Sequence, residues 1–340
     1  MQKKRLAWPD IAKAIAIFLV VVGHSSPPAT IYALIFSFHM PFFFMMSGYF
    51  YKFRDANLKN DLIRLICPYC LCILILLAFI RIDPSSSPYK SFYKLIISAI
   101  YASGSTINGV KLIGAIWFLQ ALFISRRFMD FIFCICDSEI VRFVLVLWLL
   151  IISISLAWKK VYLPLGLDVG MRGTFYLYSG YLLKNYGSKL IESPKANIFL
   201  VLIFTWYISY RTGQYNLFDR AYVDLFFVVT IPGSIAASVL LMLFSKMLEK
   251  FHFLSTLLSK FGQHTLLLLC IHDLDWRLPF GFYFRLAQLL IFPYKGNSYY
   301  WILSFILRFA FDVFVMIIVL LLIKIFRLLM NLQLQPQDNG

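Results

Sequence analysis

Apolar residues along this chain come in blocks of about 12 to 25, and short clusters of Lys and Arg separate the blocks. Stretches such as Leu65 to Ile80 (LICPYCLCILILLAFI) are apolar at every position, which suits a helix in lipid and not a strand alternating between two faces. The fold class is therefore all-α, a polytopic integral membrane protein, and the pattern predicts about ten transmembrane helices. The first span, Ile11 to Val22, stops at GHSSPPAT. The second, IYALIFSFHMPFFFMMSGYF, returns with a kink at Pro41, and the third covers Leu65 to Ile80. GAIWFLQALFIS, halted by Arg126 and Arg127, follows. After it come VRFVLVLWLLIISISLAW, MRGTFYLYSGYLL, ANIFLVLIFTWYISY, a run after Asp224, FGQHTLLLLCIH and a last span from Tyr300 to Phe326. Ser91 to Lys111 is too polar to span and reads as an interfacial or re-entrant segment. With no linker or shift of composition, residues 1–330 form a single domain, followed by a polar tail at 331–340.

A chain of 340 residues with 61% apolar and only 14% charged side chains is excluded from the soluble classes. Its net charge of +16 would suit nucleic acid, but the cations sit between apolar blocks, the pattern that retains loops in the cytoplasm. No nucleic-acid partner is expected. The expected location is the cell (inner) membrane, with multiple passes, no cleavable signal and both termini cytoplasmic. The six cysteines lie inside apolar runs with no His at zinc spacing, although Cys67 and Cys70 spell CxxC, so they read as small hydrophobes and no metal is expected.

Chemistry concentrates in WPDIAKAIAIFLVVVGH. Ionisable groups inside a membrane span are costly, so Asp10, Lys13 and His24 are functional candidates. Asp10 and Lys13 are three residues apart and offset each other on one helix face. The eleven steps from Lys13 to His24 separate cation and imidazole by about 16 Å. His24 is either an interfacial side chain with one backbone hydrogen bond, a general base for a hydroxyl attacking a thioester, or a nucleophile that carries the acyl group. Arg64 either snorkels to headgroups or forks around the phosphate of a nucleotide-bearing donor, with Lys59 as the nearest further cation.

In FFFMMSGYF, Ser47 and Gly48 let two helices approach. Trp117 and Phe118 are aromatic-belt residues or a platform for a sugar face. His272, with Asp273 and Asp275, either holds a hydroxyl acceptor or orients His24. His39, His252 and His264 read as structural or loop residues. The sequence has no phosphate-cradling Gly loop and no HxxxD at His24.

In order, WPDIAKAIAIFLVVVGH, FHMPFFFMMSGYF, RLICPY, WFLQALF and the Gly-Gln-His-Thr-Leu run to His272 resemble the membrane acyltransferase 3 family, and in particular its fucose 4-O-acetylase-like carbohydrate O-acetyltransferases. The resemblance implies an O-acyltransferase that moves acetyl from acetyl-CoA, as co-substrate, to a hydroxyl of a cell-surface polysaccharide or its lipid-linked precursor. The family's motif of a basic residue, a ten-residue gap and a histidine falls on Lys13 and His24, with Lys where many members have Arg. Its Arg-x-x-Arg element matches at Arg64 alone, because the earlier position is Asp61. The alternative from another class is a proton-coupled transporter using Asp10, Lys13, Asp224 and the histidines. No internal repeat or matched pair of broken helices supports it.

Overall fold

The computed structural model describes residues 6–53, 57–82, 91–104, 106–107, 109–211, 218, 227–277 and 299–333. Among them every regular element is a helix. In chain order these are α1 (Trp8–Gly23), α2 (Ala29–Phe36), α3 (His39–Tyr49), α4 (Asn57–Asp61), α5 (Cys67–Ile82), α6 (Phe92–Tyr101), α7 (Trp117–Ile135) and α8 (Glu139–Trp158). There follow α9 (Leu167–Tyr186), α10 (Ser188–Glu192), α11 (Ala196–Arg211), α12 (Phe227–Leu248), α13 (His252–Gly262), α14 (Thr265–Arg277) and α15 (Tyr300–Gln333). A π-helical turn, Leu62–Ile66, joins α4 to α5 without a break. The N-terminal MQKKR, Asp224, the loop through Pro279 and Pro293, and the tail from 334 on lie outside the described residues.

Among the described residues, five helices are long and apolar enough to cross a membrane: Ala29–Tyr49, Asn57–Arg81, Glu139–Trp158, Phe227–Leu248 and Tyr300–Leu329. The α13–α14 pair, bent by 62°, makes a sixth if taken as one span. Helices α1, α7 and α9 fall short for a reason that also explains their position. They are short or carry charge, such as Arg126, Arg127 and Asp130 on α7 or Asp168 and Arg172 on α9, and they pack inside the bundle where those groups find partners. On the outside, α8, α11 and α15 turn large apolar side chains outward, among them Trp148, Leu200 and Leu321. That is the arrangement lipid selects.

Local sequence explains the breaks. Pro41 has no N–H to give to the carbonyl of Ser37, so the second span is interrupted at Ser37–Phe38, just before the proline. The Ser91 to Lys111 segment forms one ten-residue helix, α6, with Ser91 as its N-cap; it stops at Ala102 in the left-handed region. At about 15 Å it is too short to span. A tight turn follows, in which Ile107 and Val110 exchange backbone hydrogen bonds.

Helix α3 lies against α9 with backbone-to-backbone contact. A Cβ on Gly48 would stand 1.7 Å from the Leu177 carbonyl oxygen, and one on Gly180 would stand 1.9 Å from that of Met45. The close approach expected of Gly48 is thus met by a reciprocal glycine.

Candidate active site

Residues Pro9, Lys13, Ile17, Val20 and His24 follow the three-and-four spacing of one helical face, and that face of α1 lines a cavity of about 860 Å³. Facing it, α3 presents Met40, Phe43, Met46 and Ser47, and α7 presents Trp117, Phe118, Leu122 and Arg126. Helices α1 and α3 run antiparallel. His24 meets Phe36 just before α3 (ring centroids 5.8 Å), and Trp8 at the other end of α1 meets Tyr49 (5.4 Å). The cavity therefore has a Lys13 end and a His24 end.

At the Lys13 end, Lys13 Nζ lies 2.6 Å from Asp10 Oδ1, and Asp10 is 3% exposed. The pairing expected from their spacing is present. Asp10 does not line the cavity; its backbone lies against Gly262, where a Cβ would stand 1.8 Å from its carbonyl oxygen. Arg64, on the π-helical turn, is exposed and lines the cavity, together with Asp61 and Arg126. Asp61 accepts hydrogen bonds from Arg126 Nε (2.7 Å) and from Arg127, while Arg126 also donates to Ser47 Oγ (3.2 Å). Asp61 thus holds two arginines of α7 in place. The break between α13 and α14 follows Gly262, and residues Gln263 to Leu266 at that break line the cavity. The first free N–H groups of α14 add partial positive charge there. Lys59 stands apart, exposed on α4 and outside the lining.

At the other end His24 caps α1, its N–H bonded to the Val20 carbonyl. Ser25 fixes the turn by donating to the Val21 carbonyl (2.7 Å). The His24 carbonyl, one of the orphan acceptors of a helix end, takes a hydrogen bond from Arg308 of α15 (3.0 Å). Trp117 lines the cavity, seated over Gly104, where a Cβ would be 2.5 Å from the indole nitrogen. His39, read as structural, also lines the cavity; its Nδ1 donates to the Ile35 carbonyl (2.9 Å), which directs the free nitrogen Nε2 elsewhere. His264 lines it too, and His252 does not.

His272 and Asp273 do not sit where an acceptor-holding role needs them. Asp273 is 3% exposed and accepts from the backbone N–H of Ala115 (2.5 Å), fixing the loop that leads into α7. His272 is 2% exposed and lies behind His24, the two ring centroids 5.6 Å apart. Its Nδ1 bonds Asp312 Oδ2 (2.8 Å), and beside it Arg308 Nε bonds Asp275 Oδ2 (3.0 Å). His272, Asp275 and Asp312 each offer a ligand atom within 4.8 Å of the others. The Arg308 guanidinium already brings positive charge to that cluster, and Asp312 is engaged by the imidazole. Arg126, Arg308 and Asp312 were not singled out by the sequence reading as site residues. Their signal was charge inside an apolar run, ILRFAFDVF in the case of the last span.

The helices thus enclose a cavity with an imidazole at one end and clustered cations at the other. The acyltransferase 3 family (acyltransferase domain) matches residues 6–328, and the chain belongs to it. It is a membrane acyltransferase. No curated protein and no solved structure matches the chain.

Proposed function

We propose that this protein transfers acetyl from acetyl-CoA to a hydroxyl of a cell-surface polysaccharide or its lipid-linked precursor. The observation that carries the reading is the cavity lined at one end by Lys13, Arg64 and Arg126 and at the other by His24 and Trp117. The donor's phosphates suit the cationic end, where guanidinium groups fork around phosphate oxygens and the α14 N-terminus adds its dipole. The distance of about 16 Å from Lys13 to His24 suits a pantetheine arm reaching toward the imidazole. Trp117 offers a flat apolar face beside His24, and the resemblance to the fucose 4-O-acetylase-like branch supports a sugar as acceptor.

In this reading His24 takes the proton of the attacking hydroxyl, or carries the acyl group itself. The same reading has about ten crossings: α1, α2–α3, α4–α5, α7, α8, α9, α11, α12, α13–α14 and α15. Both termini and the Lys13 end face the cytoplasm of the cell (inner) membrane, where acetyl-CoA is found.

The test is acetyl transfer from radiolabelled acetyl-CoA to surface glycan by the purified full chain. His24→Gln keeps a polar side chain of similar reach and is expected to cut the rate by about 10²- to 10⁴-fold at unchanged expression. Transfer at the wild-type rate would remove His24 from the chemistry.

A further inference from the structure

Arg126 lines the cavity, and its guanidinium is held on two sides. Nε donates to Asp61 Oδ2 (2.7 Å), Nη1 donates to Ser47 Oγ at the longer distance of 3.2 Å, and the group lies over the Tyr51 ring, 5.7 Å from its centroid. Asp61 lines the same cavity and offers the same oxygen, Oδ2, to Arg127 Nη2. Arg127 stands outside the lining and has a second carboxylate, its Nη1 lying 2.7 Å from Asp130 Oδ2. Asp130 Oδ1 in turn accepts from the Tyr51 hydroxyl and from Asn57 Nδ2 (3.3 Å). Arg126, Asp61, Arg127 and Asp130 thus form a row of alternating charge that sums to zero. Of the four, Arg126 and Asp61 open on the cavity.

We infer that Asp61 is an internal rival of the donor's phosphate: its carboxylate competes for the guanidinium of Arg126 and so sets how tightly an anion is held at this end of the cavity. The inference rests on the proposed phosphate-bearing donor. A phosphate can fork Arg126 along either of two edges of the guanidinium. Along Nε and Nη2 it replaces Asp61 outright. Along Nη1 and Nη2 it replaces the hydroxyl of Ser47, but two anions then share one guanidinium and repel each other at close range in a partly buried site. Either way the charge of Asp61 opposes the phosphate. Asp61 is able to yield because Arg127 still holds it, and Arg127 is anchored by Asp130 throughout. Acetyl-CoA and spent CoA carry the same phosphates. The rival therefore weakens both alike, which favours release of the spent carrier and leaves the reacting thioester untouched.

Asp61→Asn tests this by the sign of its effect. The carboxamide still offers an oxygen to the two arginines but carries no charge, so a rival carboxylate predicts tighter anion binding, whereas a mere scaffold for Arg126 predicts looser binding. Isothermal titration of the purified full chain in detergent, with inorganic pyrophosphate and with CoA as probes, is expected to give Kd values about tenfold lower in Asp61→Asn, roughly 1.4 kcal/mol. The gain should vanish when Asp61→Asn is combined with Arg126→Gln, since without that guanidinium there is nothing to compete for. Unchanged or weaker binding by Asp61→Asn overturns the inference, as does a gain that survives the loss of Arg126 or an absence of binding in both proteins. If Asp61→Asn does not assemble, Asp61→Ser, a small neutral acceptor, must tighten binding in the same way; wild-type affinity there overturns the inference too. Pyrophosphate binding needs no acyl group. A wild-type protein that transfers no acetyl therefore sinks the proposed function, while tighter pyrophosphate binding in the variant still supports the rival carboxylate. Active transfer with unaltered affinity in the variant sinks the inference alone.

Discussion

At the Lys13 end of the cavity, the side chains of Arg126 and Arg127 keep 17% and 25% of their surface exposed and share Asp61, which is 8% exposed. Behind His24, the side chains of Arg308 and His272 are each 2% exposed, and those of Asp275 and Asp312 are 0% exposed. The first cluster can exchange a protein partner for water or a ligand. The second can exchange its partners only for each other. A group that must meet a charged donor is best left with open valences near solvent, whereas a group that must hold an imidazole still is best locked where nothing competes for its hydrogen bonds.

Stability separates the two most sharply. Arg308→Met leaves Asp275 charged and uncompensated in the interior and is expected to cost about 3–5 kcal/mol. Arg126→Met should cost about 1 kcal/mol or less, because Asp61 keeps Arg127 and the site is reached by water. Thermal unfolding of both variants in the same detergent measures the difference; equal costs would mean the two clusters are equally closed to water.

Function should invert the order. Arg64→Lys retains the charge but not the fork, and is expected to weaken apparent acetyl-CoA affinity about tenfold, roughly 1.4 kcal/mol, with no change in unfolding temperature. An unchanged KM for the donor would take Arg64 out of the donor site.

The smallest effect lies outside both clusters, where Glu249 ties the end of α12 to the start of α1. Burial would raise its carboxyl, but hydrogen bonds from Lys246 and from the backbone of Ala7 and Trp8 outweigh it and hold it below the usual carboxylate range. A depressed folded value means this stabilisation is present at neutral pH and is lost as pH falls below about 4.5. Glu249→Gln should therefore cost about 1 kcal/mol at pH 7, shrinking toward zero in acid. A pH-independent difference between the two unfolding curves would show that charge at Glu249 is irrelevant.

Much of the helical order was legible because it is local: an apolar block long enough to be a helix, a proline that cannot donate, a basic cluster that stays at an interface. The Asp10–Lys13 pair and the shared face of Lys13 and His24 follow from helical spacing alone, and Gly48 was legible as a point of close approach. Which helices line the cavity was not legible. Hydropathy measures each residue's preference for lipid, and the charged helices α7 and α9 are tolerated only because neighbours supply their partners. Asp273 shows the same limit from the other side, since an aspartate read as a substrate ligand accepts a hydrogen bond from the loop that leads into α7.

By itself the sequence determined the class of fold, the membrane as solvent and the rod that joins a cation to an imidazole, since each depends on residues within a few turns of one another. Only the tertiary structure decided what stands behind that imidazole. Arg308 reaches the His24 carbonyl across 284 positions of sequence, and Asp312 reaches His272 across 40. A buried charge is stable only beside partners that satisfy it, and no rule of spacing along one helix says which distant helix will bring them.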